Sequence, residues 1–510
     1  MLGHNSLNYI NNQMKILFVY TNINGFHADS YGVGLAHIMS VTRDAGHEIK
    51  LISIFEKEDY SVFEDTIKEF NPKVIGFTTV SSQWSFAIEL AGLAKNINSM
   101  IYTVTGGVHP TLHPECVLET NKMDAIFMGE AEHAFTEFLD KIDKNQSWES
   151  CENVAYEMNG KLIKNPMKQL LGNEELEKLP HPDRDTYSFL KVMQKTGFAP
   201  FHFTRGCPFT CTYCSNIGLA KVYGLNRYNI RSPSPERCIQ ELEETIEKYP
   251  QIKTKYIVTI TDDIFGLNKK WRREFLALYR ERIKLPFICL LRCDVVNEDF
   301  MQDLKRSYCY KISFGLESGS EYIRNTVMDR KMPDSTIIHA FELAHKYKIK
   351  TNALNVIGVP GETEEMLWDT IRLNKKVKPT SSGCNIFYPY QGTPLGDKCF
   401  EEKLVNLEKF HDFSNERRQS VLDYDKEWLD KLIYYHENWD RLTRSEGFVK
   451  TILRNIFRNS KSIIKTIPIA GPAVVRFYRI LVVQIAKIKN IKKFSNQSYL
   501  SGTSNMLDKN

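Results

Sequence analysis

Phe201-His-Phe-Thr-Arg-Gly-Cys-Pro-Phe-Thr-Cys-Thr-Tyr-Cys-Ser-Asn216 is the stretch on which the reading of this chain turns. A β-favouring aromatic run, Phe201–Thr204, leads into three cysteines spaced C-x3-C-x2-C at Cys207, Cys211 and Cys214. With 11 cysteines in 510 residues, that spacing arises by chance in roughly one chain in 200. Three thiolates on one loop suit three irons of a 4Fe–4S cluster, because cluster iron favours soft, electron-donating sulphur. The fourth iron would stay open to an external chelating ligand. A structural zinc site would require a fourth Cys or His at regular spacing. The nearest histidine, His202, lies upstream on the strand, so the spacing suits the cluster better.

Downstream the pattern alternates. Strand candidates are Phe201–Thr204, Tyr256–Thr261, Phe287–Leu291, Lys311–Gly315, Asn352–Ile357 and Asn385–Tyr388. Helical runs separate them, among them Ser234–Lys248, Trp271–Ile283, Glu298–Arg306 and Ser335–Tyr347. Six β/α units predict a (β/α)6 partial TIM barrel over 196–400, with the cysteines at the carboxyl end of its first strand, where barrel sites lie.

Upstream, Lys15–Tyr20, His47–Ile54, Val74–Val80, Ile101–Thr105 and Ala125–Met128 read as strands, with helices at Gly34–Ala45, Phe63–Phe70, Phe86–Asn96 and about 132–142. The right-handed crossover rule makes this α/β run a Rossmann-like doubly wound parallel sheet over 14–145. Residues 146–195 read as a linker with a hairpin, Asn153–Asn165, turning at Asn159–Gly160.

The chain is 42% hydrophobic and 25% charged, which excludes wholesale disorder and fits two or three globular domains. Its net charge of +5 gives no argument for nucleic acid. That balance is an average. Arg441–Lys493 carries 13 basic residues and one acid, Glu446, a net +12, which leaves −7 elsewhere. Residues 401–495 predict a helical basic C-terminal region, and 496–510 a polar disordered tail. Within it, 463–493 alternates apolar and basic residues. That pattern fits a helix lying in a membrane interface, or equally one packed on the barrel with a solvated basic face. No uncharged run is long enough to span a bilayer. Residues 1–13 are polar and lack the apolar core of an export signal, and Met14 directly precedes the first hydrophobic run, so it is a candidate start. The odd cysteine count and the missing export signal agree with reduced thiols in a cytoplasmic chain, to which the membrane-interface reading of the basic segment would add peripheral membrane contact.

The cysteine triplet, with Tyr213 just before its last member, resembles the radical S-adenosylmethionine (radical SAM) superfamily. Motifs at later strand ends agree in type and order: Thr261-Asp-Asp-Ile-Phe265, Arg292-Cys-Asp294, Gly315-Leu-Glu-Ser-Gly319, Asn355-Val-Ile-Gly-Val-Pro-Gly-Glu-Thr363 and Tyr388-Pro-Tyr-Gln-Gly-Thr-Pro394. The resemblance covers about 195–400. It implies that Cys207, Cys211 and Cys214 hold a 4Fe–4S cluster whose open iron is chelated by S-adenosyl-L-methionine. One electron then cleaves the sulfonium to a 5′-deoxyadenosyl radical that abstracts hydrogen from an unactivated carbon. It also implies that Tyr213 meets the adenine edge, that Glu317 and Arg292 anchor ribose or the amino-acid end, that Asp263 binds the amine or a substrate group, and that Gly358 lets backbone approach the adenine. Asp262, Asp263 and Glu317 would otherwise read as helix caps, and Gly361 as a turn glycine. The other eight cysteines show no ligand spacing and read as buried small residues or surface thiols.

Residues 14–145 resemble the cobalamin-binding Rossmann-like domain that precedes many of these enzymes. The matching pieces are Gly32-Val-Gly34, Gly46-His-Glu48, Ile75-Gly-Phe-Thr-Thr-Val-Ser-Ser82, Gly106-Gly-Val-His-Pro-Thr111 and Gly129-Glu-Ala-Glu132. The resemblance implies that Gly106 and Gly107 leave room for the nucleotide tail, that Thr79, Ser81 and Ser82 bond to it, and that Val108 and His109 line the corrin. One departure matters. His27 lacks the Asp two before it and the Gly three after it that mark a cobalt-ligating histidine, so no histidine is expected on the lower cobalt face. The bland alternative is a docking module without cobalamin.

The leading function is cobalamin-dependent methylation of an unactivated carbon in a small-molecule or lipid-like substrate, with an external one-electron reductant such as flavodoxin or ferredoxin. Oxidative cyclisation or rearrangement is the alternative. A tRNA methylthiotransferase is a minor one, because Cys116 is alone in the N-terminal domain and the tail reads as helical. From a different class comes a non-catalytic cluster- or lipid-binding protein.

Overall fold

The computed structural model describes residues 13–23, 31–412 and 416–444. His27, the basic segment 463–493 and the polar tail lie outside the described residues. The first sheet has seven strands: β1 (Lys15–Thr21), β2 (Glu48–Ile54), β3 (Val74–Thr78), β4 (Tyr102–Gly106), β5 (Ala125–Phe127), β6 (Val154–Met158) and β7 (Lys161–Lys164). Their order is β2-β1-β3-β4-β5-β6-β7. The first five run parallel; the apolar runs of β1, β3, β4 and β5 are buried on both faces, as helices on both sides of a parallel sheet demand, and β2 is a half-buried edge strand. The chain leaves β1 to one side for β2 and returns to the other for β3, which makes the carboxyl ends of β1 and β3 a switch-point crevice. Gln83 latches that crevice: its amide donates to Ile23 O at 3.1 Å and accepts from Ile23 N at 2.9 Å.

The hairpin at Asn159–Gly160 forms as the sequence predicts, but it pairs antiparallel with β5 and so extends the first sheet. The rest of the segment between the two sheets is firmly packed. Arg184 pairs with Glu241 at 2.6 Å, both side chains nearly solvent-free, and lies against the rings of Tyr31, Phe189 and Phe201. Asp183 takes Arg43 from the first helix at 2.6 Å.

The second sheet has six strands: β8 (Phe198–Phe201), β11 (Ile257–Ile260), β12 (Phe287–Arg292), β13 (Cys309–Glu317), β14 (Lys350–Ile357) and β15 (Ser381–Ile386). Their order is β15-β14-β13-β12-β11-β8, parallel throughout, an open (β/α)6 barrel. Between β8 and β11, β9 (Arg205–Cys207) and β10 (Tyr228–Arg231) form a separate antiparallel ribbon. The first barrel strand thus ends three residues earlier than its aromatic run predicts. Asp262 is the reason: its carboxylate takes the Phe203 amide at 2.7 Å and the Thr204 hydroxyl at 2.7 Å, which draws the chain out of the ladder.

One apolar core runs through both sheets, from Ile16 and Phe18 through Tyr187 and Phe189 to Phe201, Phe287 and Phe314. The helix Lys426–Thr443 closes the far side of the barrel, with Leu432, Tyr435 and Trp439 buried against Ile357 and Ile386.

Candidate active site

Cys207 ends β9, Cys214 precedes the helix Ser215–Val222, and Cys211 lies between them. Neighbouring loops fix this turn from two directions. Thr210 and Thr212 donate their hydroxyls to Asp329 at 2.7 Å and to Val327 O at 2.6 Å, and Leu395 N donates to Thr212 O at 2.9 Å. The three thiols lie within electrostatic reach of one another. Burial pushes the Cys207 thiol up to about 11 and the Cys214 thiol to about 12, so both need a cation's field to ionise. All eleven cysteines are free, and the eight outside the triplet are buried. Among the described residues no three His, Cys, Asp or Glu side chains converge as the ligands of a single ion would. A cage of several irons instead spreads its thiolates apart, one to each metal, so this donor set fits a cluster.

Arginines surround the triplet. Arg292 donates to Cys211 Sγ at 3.2 Å, forms a two-pronged pair with Asp294 at 2.8 and 3.0 Å, and stacks 3.8 Å from the Phe209 ring centre. Arg330, which no strand-end motif marks, is the centre of a second group. It donates to the Tyr213 hydroxyl at 2.9 Å, to Glu317 at 3.3 Å and to Gly315 O at 2.9 Å. Glu317 follows a β-bulge in β13 and adopts a left-handed φ of 65°, which turns its carboxylate back toward Arg330. Burial raises the Glu317 carboxyl and Arg330 opposes that rise. Tyr213, Arg292 and Glu317, named from sequence for one cosubstrate, therefore share one polar cluster beside Cys211. Their cap reading fails for Asp262 and Glu317: Asp262 staples β11 to the exit of β8, Glu317 ends a strand, and Asn268 caps the helix Lys269–Leu278.

Asp263 is exposed, and its charge reaches Cys207 and Cys214. Gly358 has φ 72°, and a Cβ there would meet Leu432 at 2.9 Å. Its amide donates to Glu362 at 2.6 Å, and burial raises the Glu362 carboxyl to about 8. Gly361 has no neighbour that a Cβ would touch and serves its turn by φ 79°.

At the first sheet's crevice the hydroxyls form a packed row. Thr79 Oγ1 meets Thr105 Oγ1 at 3.2 Å and Ser81 Oγ meets His109 Nδ1 at 3.1 Å. Gly107 has φ 107°, and a Cβ on it would stand 2.5 Å from Thr79 O, so only glycine fits. At Gly106 a Cβ would make ordinary contact with Phe127. Val108 and His109 open the short helix Val108–Leu112. Burial lowers the His109 imidazole to about 4. Its Nε2 is buried without a partner, as is Thr21 Oγ1 at the carboxyl end of β1. Unpartnered buried groups at strand ends fit a ligand with an amide rim.

Glu416 and Arg417 join the crevice although no sequence motif marks them. Glu416 accepts from the Ser82 and Tyr390 hydroxyls, so Ser82 is engaged by the segment after the barrel. Arg417 donates to Tyr390 at 2.8 Å, and its charge reaches Cys214. No local pattern marks this pair, because chain distant in sequence brings it to the crevice.

A parallel sheet with a switch-point crevice, joined to an open barrel carrying three thiols at its mouth, defines the cobalamin-domain class of radical enzymes. The chain belongs to the radical SAM superfamily. The family model described as "Radical SAM superfamily" matches residues 201–373, and the "B12 binding domain" matches 22–139. An uncharacterized methyltransferase of Pyrococcus horikoshii is 30% identical over 380 residues, covering 73% of this chain and 79% of the relative. The anaerobic magnesium-protoporphyrin IX monomethyl ester cyclase of Rubrivivax gelatinosus is 23% identical over 464 residues, 86% of this chain and 79% of the cyclase. Among solved structures, the radical S-adenosylmethionine methyltransferase TsrM from Kitasatospora setae superposes with a TM-score of 0.63 at 14% identity over 76% of this chain and 75% of its own. The cobalamin-dependent enzyme OxsB superposes at 0.67 with 14% identity over 97% and 77%. The cofactors of this class are a 4Fe–4S cluster, S-adenosyl-L-methionine and cobalamin. The electron comes from an external reductant. No helix among the described residues is long and apolar enough to cross a membrane.

Proposed function

We propose that this chain transfers a methyl group to an unactivated carbon of a small or lipid-like molecule, with the cluster on Cys207, Cys211 and Cys214 and cobalamin in the crevice between β1 and β3. The observation that carries the reading is the packing of both sheets on one core, with a single segment facing both sites: Glu416 accepts from Ser82 at the crevice, and the next residue, Arg417, bonds to Tyr390 and brings its charge within electrostatic reach of Cys214. When bound, the reduced cluster with S-adenosyl-L-methionine supplies a hydrogen-abstracting radical and cobalamin supplies the methyl group.

The chain's own residues bind and orient. Arg292 and Arg330 bring positive charge to the sulphur of Cys211 and to Glu317. A zwitterionic amino-acid end needs both signs nearby, and Arg292, Glu317 and Asp263 supply them. Tyr213 and the backbone at Gly358 would flank the adenine. Gly106, Gly107, Val108 and His109 would border the corrin and its tail, where neutral His109 offers Nε2 as a hydrogen-bond partner without adding charge. A flavodoxin- or ferredoxin-like protein would deliver the electron, and the +12 carried by 441–493 suits an anionic surface as a further contact.

The test is anaerobic. Protein reconstituted with iron, sulphide and hydroxocobalamin should show a bound corrin spectrum and release 5′-deoxyadenosine under strong reductant. Extracts of the producing cell should then yield a product one methyl heavier. An intact cluster without deoxyadenosine would refute the enzyme reading, and absence of bound corrin would refute methyl transfer. Oxidative cyclisation is the second reading, favoured by likeness to the cyclase over 86% of this chain. It predicts loss of hydrogen from substrate with no mass gain.

A further inference from the structure

Gly129-Glu-Ala-Glu132 leaves the carboxyl end of β5, the end of the sheet where the crevice lies, and its two carboxylates pair with the separate β9–β10 ribbon. Glu130 receives Arg231 through both guanidinium nitrogens, at 2.9 Å each, and Arg205 at 3.3 Å. Glu132 receives Arg205 at 2.6 Å. The two arginines are opposite one another in the β9–β10 register, and Arg205 lies two residues before Cys207 on the same strand. None of the four side chains is more than 17% exposed. Two positive and two negative groups thus balance in a shielded place, where such pairs are strong only with good geometry and full hydrogen bonding.

The backbone around the carboxylates is tied to the same ribbon and to the segment between the sheets. Glu130 N donates to the hydroxyl of Tyr223, whose ring stacks on Tyr228 of β10. Glu130 Oε2 also accepts from Leu171 N at 3.0 Å, and Arg231 donates to Leu171 O at 2.9 Å. Glu132 opens the helix Glu132–Asp143, so its charge also faces that helix's positive end. Burial pushes its carboxyl up, but Arg205 more than reverses this and holds it ionised below the usual carboxylate range. Arg43–Asp183 is exposed on its arginine side, and Arg184–Glu241 lies back along the inter-sheet segment, so neither touches the thiol loop.

We infer that Glu130, Glu132, Arg205 and Arg231 are positioning residues that fasten the cluster loop directly onto the cobalamin-type sheet and so set the spacing between the two cofactors. This rests on the proposed function for its cofactor half alone, because the fastening itself is a property of the chain. A methyl donor and a radical source must meet one carbon, so the separation of their two sites has to be narrowly held. A ribbon ending in Cys207 and clamped two residues earlier is rigid in that direction, whereas a clamp further along the chain would not be.

The experiment has two readouts. In the cluster-free, corrin-free chain, hydrogen exchange should accelerate at least tenfold at residues 205–207 and 228–231 in Glu132→Gln/Arg205→Gln, a neutral pair that leaves no orphaned charge on that contact. The amides of β13 and β14 should stay as in the parent. In the reconstituted protein, pulsed dipolar EPR between the reduced cluster and cob(II)alamin should give one narrow distance in the parent and a broadened distribution in the variant. Cluster content should be equal in both. Glu132→Asp, which shortens the reach and keeps the charge, should fall between them. Unchanged exchange in the ribbon, or a distance distribution as narrow as the parent's, would overturn the inference. If the neutral pair fails to fold, Glu132→Asp decides by the same two readouts. A parent that binds no corrin would defeat the cobalamin reading and leave the exchange result to judge the clamp.

Discussion

Arg292 places a guanidinium nitrogen 3.2 Å from the sulphur of Cys211. A cation donating to a cluster thiolate stabilises the reduced, more negative state. Arg292→Leu should therefore make the cluster harder to reduce, by on the order of 60 mV, the one-electron equivalent of about 1.4 kcal/mol. A redox titration followed by EPR reads this directly. A potential equal to the parent's would mean that the contact does not persist once iron is bound.

Arg330 and Glu317 form a pair with side chains 5% and 13% exposed. Removing one partner strands the other, so Arg330→Leu should cost roughly 3–5 kcal/mol of stability, whereas Glu317→Gln/Arg330→Leu together should recover a good part of it. Urea denaturation of the metal-free chain gives the four corners of that cycle. Purely additive losses would show that the two do not act as a pair.

Neutral His109 predicts a pH dependence. Burial holds its folded value near 4, below the unfolded value of about 6.5. The unfolded chain thus binds the proton first as pH falls. The stability due to neutral burial is fully present above about 6.5 and is lost progressively down to about 4, a swing of roughly 3 kcal/mol. His109→Gln should flatten this part of the profile. Thermal melts from pH 7 to pH 4 would expose the difference, and parallel curves for parent and variant would count against it.

Gly107→Ala should be severe. The residue would take a φ of 107° with its Cβ 2.5 Å from Thr79 O, a backbone clash with no flexible end to give way. A loss of about 1–3 kcal/mol is expected from the strained backbone alone, together with loss of hydroxocobalamin binding measured by gel filtration and visible absorbance. Gly106→Ala, where contact is ordinary, should retain stability close to the parent's.

Much of this architecture is legible in the chain because it is locally encoded. Buried parallel strands are continuous apolar runs, and KILFVY at 15–20 or FICLL at 287–291 have few other readings. The thiol spacing is equally local. What escaped are features that depend on distant chain. The 154–164 hairpin has its own turn signal, but nothing within it says that β5 is its partner. Phe201–Thr204 has strand composition throughout, and only the carboxylate of Asp262, about sixty residues on, ends the ladder early. Arg330 and Glu416 carry no pattern at all. Each is one charged residue in a loop, and its role comes from where the loop returns. The glutamates of Gly129-Glu-Ala-Glu132 form a local motif, but their arginine partners stand 73 and 101 residues further on, and only the folded ribbon brings them together.

Arg184, set among the rings of Tyr31, Phe189 and Phe201 and paired with Glu241, has a consequence for how the molecule comes apart. The guanidinium takes its rings from both sides of the junction and its counter-charge from a barrel helix. Cutting the chain anywhere between 145 and 195 would expose a cation and apolar surface that only the other half can cover. The two sheets should accordingly melt in a single transition, and neither half should be recoverable as a folded fragment. Exchange of one half for a relative's would require the intervening segment to travel with it.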